Sequence, residues 1–296
     1  MVGEGTTPAR PLRYRIAAAA RAASKPQHVI EKDYALSYLL AGIAEVPPLA
    51  ERLAFKGGTC LRKVYFPGYR FSEDLDYTAH TSLSCNALLD ALLGAVDRMR
   101  ARLLAYGPFE VAVDHEHHQN PHPRGQCAFR VRVRFPWMRG LECSLKVEVS
   151  MQEPLLGDPV RRTLIHEFPG ESLEATVVAY RLEEIAAEKL RAFLQSRQHF
   201  RDRGWLRNRP RDLYDLWYLQ QQSDLPLDWQ EVARLLPSKV EAYGLSYQGP
   251  EDFLDERVLT GIQRDWHGQL GNFVTDLPTF EQCALSFQSL LREVLG

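Results

Sequence analysis

Asp74 and Asp76 flank a single leucine. If the segment is extended, successive side chains alternate faces, so both carboxylates point one way and Leu75 points into the core. Neighbouring carboxylates repel each other unless a cation lies between them. An all-oxygen pair suits Mg²⁺ (or Mn²⁺), which takes one or two protein carboxylates together with substrate phosphates. A solvated acidic turn is the ordinary explanation of an Asp-x-Asp pair. Here, however, Gly57-Gly58-Thr59 stands upstream, between the apolar run Leu53-Ala54-Phe55 and a helix expected to open near Thr59. Two glycines let backbone approach a ligand closely, and a helix start offers free N–H groups to a phosphate. Lys56 before the turn and Arg62 one turn into the helix are candidate phosphate contacts, with Lys63 beside Arg62. Pro67-Gly68 ends that helix, and Arg70 to Tyr77 is expected to be the strand that carries the aspartates.

A third carboxylate has to come from a neighbouring strand. Phe129, Val131, Val133 and Phe135 alternate with Arg130, Arg132 and Arg134, a half-buried strand with a basic outer face. After a turn at Pro136 to Gly140, Leu141 to Val149 alternates again, and the two segments predict an antiparallel hairpin. On that parity Lys146 and Glu148 share the outward face. Glu148 is the candidate third metal ligand and Lys146 a candidate nucleotide contact. Glu142 shares the face but lies farther along, near the turn. The plainer alternative for Glu148 is a cross-strand ion pair with one of the arginines, contributing about 0.2–1 kcal/mol.

The later chain adds basic groups. In the helix predicted from Arg181 to Arg197, Leu182, Ile185, Ala186, Leu190 and Phe193 form the apolar stripe, and Lys189 falls inside it. A buried unpaired ammonium is costly, so Lys189 either snorkels out or faces an internal cleft and meets an anion, the reading adopted here. The segment Gln198 to Arg211 interleaves Arg201, Arg203, Arg207 and Arg209 with Phe200 and Trp205. Arginines with aromatics suit phosphate contact and base stacking, although a solvated linker has the same composition. Asp212 borders the apolar stripe of the next helix, predicted from Asp212 to Gln222, and could equally cap it.

The remaining elements are a frame for these residues. Helices are predicted at about 28–46, 84–106, 228–236, 250–270 and 278–295, with a strand at 109–113 and a loop near 157–170. Glu31, Lys32 and Asp33 would form a solvated first turn of the first of these helices, or take part in function. His115, His117, His118 and His122 lie among prolines without a helix-spaced pair, so they read as loop rather than metal site. The net charge of −2 excludes a globally basic nucleic-acid binder and leaves local patches. Five scattered cysteines without CxxC spacing argue for reduced thiols and against a disulfide or zinc framework. No apolar run is long enough to span a membrane, and the N-terminus has no hydrophobic signal core, so a cytoplasmic location is expected.

VIEKDYAL (Val29 to Leu36), the Lys56–Thr78 stretch, LKVEVS and EEIAAEKLRAF…RPRDLYDLWYL occur in one order that resembles the AbiEii family. These are nucleotidyltransferase-like toxins of abortive-infection, type IV toxin–antitoxin systems. The resemblance runs to about Leu219; beyond Leu225 only helical character matches. It implies an α+β fold: a DNA-polymerase-β-like mixed sheet flanked by helices, followed by a helical C-terminal region. The expected division is an N-terminal helical segment to residue 50, the nucleotidyltransferase core over 51–168 and a helical domain over 169–296. Gly57, Gly58 and Thr59 match the family's phosphate turn, Asp74 and Asp76 its metal carboxylates, and Ser72 the serine before them. Glu148 matches a further acidic position, Lys189 the lysine of the late helical motif, and Asp212 the aspartate of RDxxD. The implied activity is metal-dependent transfer of a nucleoside monophosphate from an NTP to RNA, with the tRNA 3′ end leading, the arginine strand (Arg130, Arg132) and the basic loop (Arg201, Arg203, Arg207, Arg209) as candidate RNA contacts, and a cognate antitoxin as partner. The same residues could serve a protein or small-molecule hydroxyl, or a catalytically silent nucleotide- or RNA-binding regulator.

Overall fold

The computed structural model describes residues 10–81, 83–116, 125–140 and 142–296. Three helices come first: α1 (Leu12–Ala22), α2 (Gln27–Ala44) and the short α3 (Pro47–Ala50). Strand β1 (Leu53–Lys56) runs into α4 (Gly57–Cys60), which continues as a wider π-type turn over Leu61–Tyr65. β2 (Asp74–Ala79), α5 (Cys85–Leu103), β3 (Glu110–His115), β4 (Gln126–Arg134) and β5 (Cys143–Ser150) follow. Then come β6 (Val160–Thr163), β7 (Thr176–Ala179) and the helices α6 (Leu182–Arg203), α7 (Pro210–Gln220), α8 (Trp229–Glu241), α9 (Glu256–Leu270) and α10 (Phe280–Leu295).

The strands form one mixed sheet in the order β3-β4-β5-β2-β1-β7-β6. β4 and β5 are the expected antiparallel hairpin, with Phe129, Val131, Val133, Leu145, Val147 and Val149 all fully buried. β5 then pairs in parallel with β2, which sets Asp74 opposite Lys146 and Asp76 opposite Glu148. Leu75, between the aspartates, is fully buried; such burial contributes about 1.5–3 kcal/mol and holds the parity of the strand.

Several expectations are corrected. The strand carrying the aspartates begins at Asp74, not Arg70, because Arg70 leaves the sheet to pair with Asp215. The stretch after Gly157 contains β6 and β7, and β7 pairs in parallel with β1, so the sheet continues past residue 168. Glu31 and Asp33 are not a solvated turn. Asp33 is 1% exposed and pairs with Arg62 (2.6 Å) and Lys63 (2.8 Å). Cys85 and Cys127 form a disulfide, Cα atoms 5.6 Å apart, which removes the reduced-thiol argument for a cytoplasmic protein. The fold brings the first residue of α5 onto the second residue of β4, a meeting that cysteine spacing cannot show. Cys60, Cys143 and Cys283 are free thiols. Among the described residues no helix is long and apolar enough to cross a membrane. His117, His118 and His122 lie outside the described residues; His115 ends β3 against Phe129.

Candidate active site

Where the sheet meets α6 and the start of α7, a polar cleft of about 290 Å³ opens. Its sheet wall includes Gly57, Asp76, Gln126 and Glu148; its helical wall includes Glu188, Lys189, Arg191, Arg209, Asp212 and Tyr243. A larger cavity, about 600 Å³, lies beneath α1 between Ala19, Phe71 and Phe168. It contains none of the β2 and β5 carboxylates, so the candidate site is the smaller cleft.

The glycine turn fits tightly against this wall. Gly57 has φ +79°, and a Cβ there would stand 2.6 Å from Asp76 Oδ2. A Cβ on Gly58 would stand 2.5 Å from Arg70 Nη2. Either side chain would displace a charged group, a steric requirement added to the turn's left-handed conformation. Thr59 is buried, and its hydroxyl donates to the Asp74 carbonyl at 2.5 Å, so it fixes the turn to the start of β2.

Asp74, Asp76 and Glu148 share one face through the β2–β5 register. Burial first, then Glu148 and Asp74, push the Asp76 carboxyl up to about 7. Burial also raises Asp74, with Glu148 and Glu73 adding to it and Lys32 opposing. This face holds more negative charge than its cations compensate, a state a divalent cation would relieve. Yet among the described residues no three acidic, His or Cys side chains stand in ready-made metal geometry. Glu148 is turned to Lys146 (2.7 Å) and accepts from Gln126 (2.9 Å). The donor chemistry therefore fits a cation at Asp74 and Asp76, and Glu148 would have to exchange its present partners to join them.

The helical wall is built differently. Lys189 is buried and meets Asp212 at 3.0 Å and Asp215 at 2.5 Å. Burial opposes its charge, but Asp215 and Asp212 outweigh it and hold its pKa above the usual lysine value. Asp212 makes no helix cap; it accepts from Lys189. Asp215 also takes both arms of Arg70, at 2.6 and 2.7 Å, and the Tyr69 hydroxyl. One buried aspartate thus braces Lys189 and, through Arg70, the Gly58 turn. Beside it Lys56 is held by Glu153 and Glu188, and Lys239 of α8, fully buried, by Glu184 (2.7 Å) and Glu188 (2.9 Å). These charged links fasten the sheet to α6 and α8.

Other expected residues lie elsewhere. Arg62 lines the cavity under α1 rather than the polar cleft, paired with Asp33 and Glu167 and stacked 3.9 Å above Phe71. Ser72 is half-buried in the irregular stretch before β2, outside the cleft lining, and its hydroxyl has no hydrogen bond among the described residues. Arg130 pairs with Glu116 (2.9 Å), and Arg132 with Asp114 and Glu142 (3.5 Å), so the arginine face is an ion-pair ladder rather than a bare basic surface. Arg201 and Arg203 are exposed at the end of α6; Arg207 is exposed at the mouth of the cleft and Arg209 turns into it. Glu153, Glu188, Arg191, Asp215, Gln126 and Tyr243 were not singled out from the sequence. The helical spacing that flags Lys189 also covers Ile185, Glu188, Ala192 and Gln195, so for Glu188 the signal was present.

A mixed sheet with a glycine turn facing paired carboxylates, backed by helices, is the architecture of nucleotidyltransferases. A solved structure with this fold is MenT4, a nucleotidyltransferase toxin from Mycobacterium tuberculosis H37Rv: TM-score 0.61, 20% identity, 94% of this chain and 87% of that one covered. The family model for the nucleotidyl transferase AbiEii toxin of type IV toxin–antitoxin systems matches residues 38–292. The chain belongs to that family. The match begins after VIEKDYAL and extends beyond Leu225 through most of α10, farther than the motifs indicate. No curated protein matches the chain.

Proposed function

We propose that this toxin transfers a nucleoside monophosphate from an NTP to an RNA hydroxyl, the tRNA 3′ end being the leading acceptor, and so blocks translation. The observation that carries the reading is Asp76: a half-buried carboxyl pushed up to about 7, between Asp74 and Glu148, facing a cleft with a cationic far wall.

Asp74 and Asp76, with Glu148, would hold Mg²⁺ or Mn²⁺, which when bound neutralises phosphate charge. The Gly57–Gly58 turn lets the phosphates approach the backbone, and Arg70 and Asp215 keep that turn in place. Lys56 and Lys189 add positive charge to the floor of the cleft, although each is already paired. The acceptor hydroxyl gives its proton to solvent as its oxygen bonds to the α-phosphorus and the bond to pyrophosphate breaks; catalysis is positioning plus charge stabilisation. Arg201, Arg203 and Arg207, with the half-exposed Trp205, offer the RNA approach.

The test is incubation with each α-labelled NTP, total RNA and Mg²⁺, followed by a denaturing gel. Label on a tRNA-sized band with pyrophosphate release is expected. Pyrophosphate release without labelled RNA would move the acceptor to another hydroxyl, and no release with any NTP would overturn the reading.

A further inference from the structure

The nucleotidyl-transfer reading, on which this inference rests, leaves open what receives the leaving end of the triphosphate. Two guanidinium groups of the cleft, one buried and one half-buried, lack adequate partners. Arg191, on α6, is 7% exposed. Its Nη1 donates to Gln195 at 3.1 Å, its Nη2 stands 3.7 Å from Glu153, and its Nε is buried with no hydrogen-bond partner among the described residues. Glu153 is already held by Lys56 and by the Tyr243 hydroxyl at 2.9 Å. The Arg191 guanidinium lies 3.6 Å from the centre of the Tyr243 ring, which fixes its plane.

Arg209 reaches the same space from the residue before α7. Its contacts are all long: 3.3 Å to Ser196, 3.5 Å to Gln195 and 3.5 Å to Asp212. Asp212 is shared with Lys189, 3.0 Å away. Bonds at that limit are weak, and a guanidinium drawn even partly out of water without full pairing is costly. Burial, with repulsion from Arg207 and Arg191 and only partial offset by Asp212, pushes Arg209 down to about 10. The other buried cations of the cleft, Lys56 and Lys189, each hold two carboxylates. Both arginines line the wall facing Asp76 and Glu148.

We propose that Arg191 and Arg209 form the seat of the β- and γ-phosphates, receiving the pyrophosphate as it leaves. The arginine fork matches phosphate oxygens bidentately, and phosphate would supply the partner that Arg191 Nε lacks. When the acceptor oxygen bonds to the α-phosphorus and the bond to the bridging oxygen breaks, the charge left on pyrophosphate falls between the two guanidiniums.

The experiment is calorimetric titration of the full chain with inorganic tripolyphosphate, without nucleotide or RNA. Arg209→Ala is expected to weaken binding about 10- to 100-fold, the scale of charged hydrogen bonds, and to leave the melting temperature unchanged or higher. Arg209→Lys, which keeps charge but not the fork, loses less. Wild-type tripolyphosphate affinity in a folded Arg209→Ala protein, or a loss confined to RNA association, overturns the assignment. The parent reading fails separately. Binding that depends on Arg209 in a protein that labels no acceptor leaves the phosphate seat standing; transfer in Arg209→Ala with an unchanged KM for NTP removes the seat and leaves the reaction.

Discussion

Asp76, half-buried in the wall of the cleft, and Asp215, fully buried behind it, are treated in opposite ways. Asp215 is surrounded by Arg70, Lys189 and the Tyr69 hydroxyl; burial opposes its charge, but Arg70 and Lys189 outweigh it and hold its carboxyl far below the usual range. Asp76 faces Asp74, Glu148 and the Gly57 backbone, and its carboxyl rises to about 7. Asp33, locked by Arg62 and Lys63, belongs with Asp215. A buried charge whose partners are complete is part of the scaffold. A charge drawn partly out of water beside like charges marks a place kept for something else.

The largest expected effect is on catalysis. Asp76→Asn should lower nucleotidyl transfer by roughly 10³-fold or more, since several kcal/mol of charge stabilisation at the phosphates is removed. Initial rates of label transfer check it.

Asp76 was legible because its signal is local. Period-two alternation fixes which side chains share a face, so Asp74, Asp76 and Glu148 could be grouped from the chain itself, and the 3.6-residue period placed Lys189 on the inner face of α6. Asp215 was not legible as a brace, because Arg70 lies far back in the chain and only tertiary structure joins them. The place of Arg62 was hidden for the same reason: its partner Asp33 is on another helix. β6 was missed because three of its four residues, Arg161 to Thr163, are exposed on an edge strand and show no alternation. The Cys85–Cys127 bridge is likewise a long-range meeting.

Asp215→Asn should instead be a stability variant. It leaves two buried cations under-compensated and should cost about 3–5 kcal/mol, measured by urea unfolding. An effect confined to kcat would dissolve the contrast with Asp76. Lys189→Ala sits between them. It touches both the cleft and Asp215, which retains Arg70, so it should cost about 1–3 kcal/mol of stability while also raising the KM for NTP. A loss in only one readout would assign Lys189 to one region alone. Smallest is Arg132→Ala on the exposed ladder, expected to change stability by about 0.2–1 kcal/mol and to leave the salt dependence of RNA association unchanged. A reduced salt slope would restore that strand to the RNA interface.

The direct test is the melting temperature of Asp76→Asn against wild type, in chelator and in Mg²⁺. Because the folded pKa of Asp76 is raised, its contribution to stability is fully present below the unfolded value, near 3.9, and is lost as pH rises through about 7. Asn imitates the protonated form. In chelator at about pH 8 the variant should therefore melt higher than wild type, and at about pH 4 the two should coincide. Mg²⁺ should raise the wild-type melting temperature at the higher pH and leave the variant nearly unmoved. A variant that melts lower in chelator, or gains as much from Mg²⁺ as wild type, would contradict the assignment of Asp76 as a strained carboxylate kept for a cation.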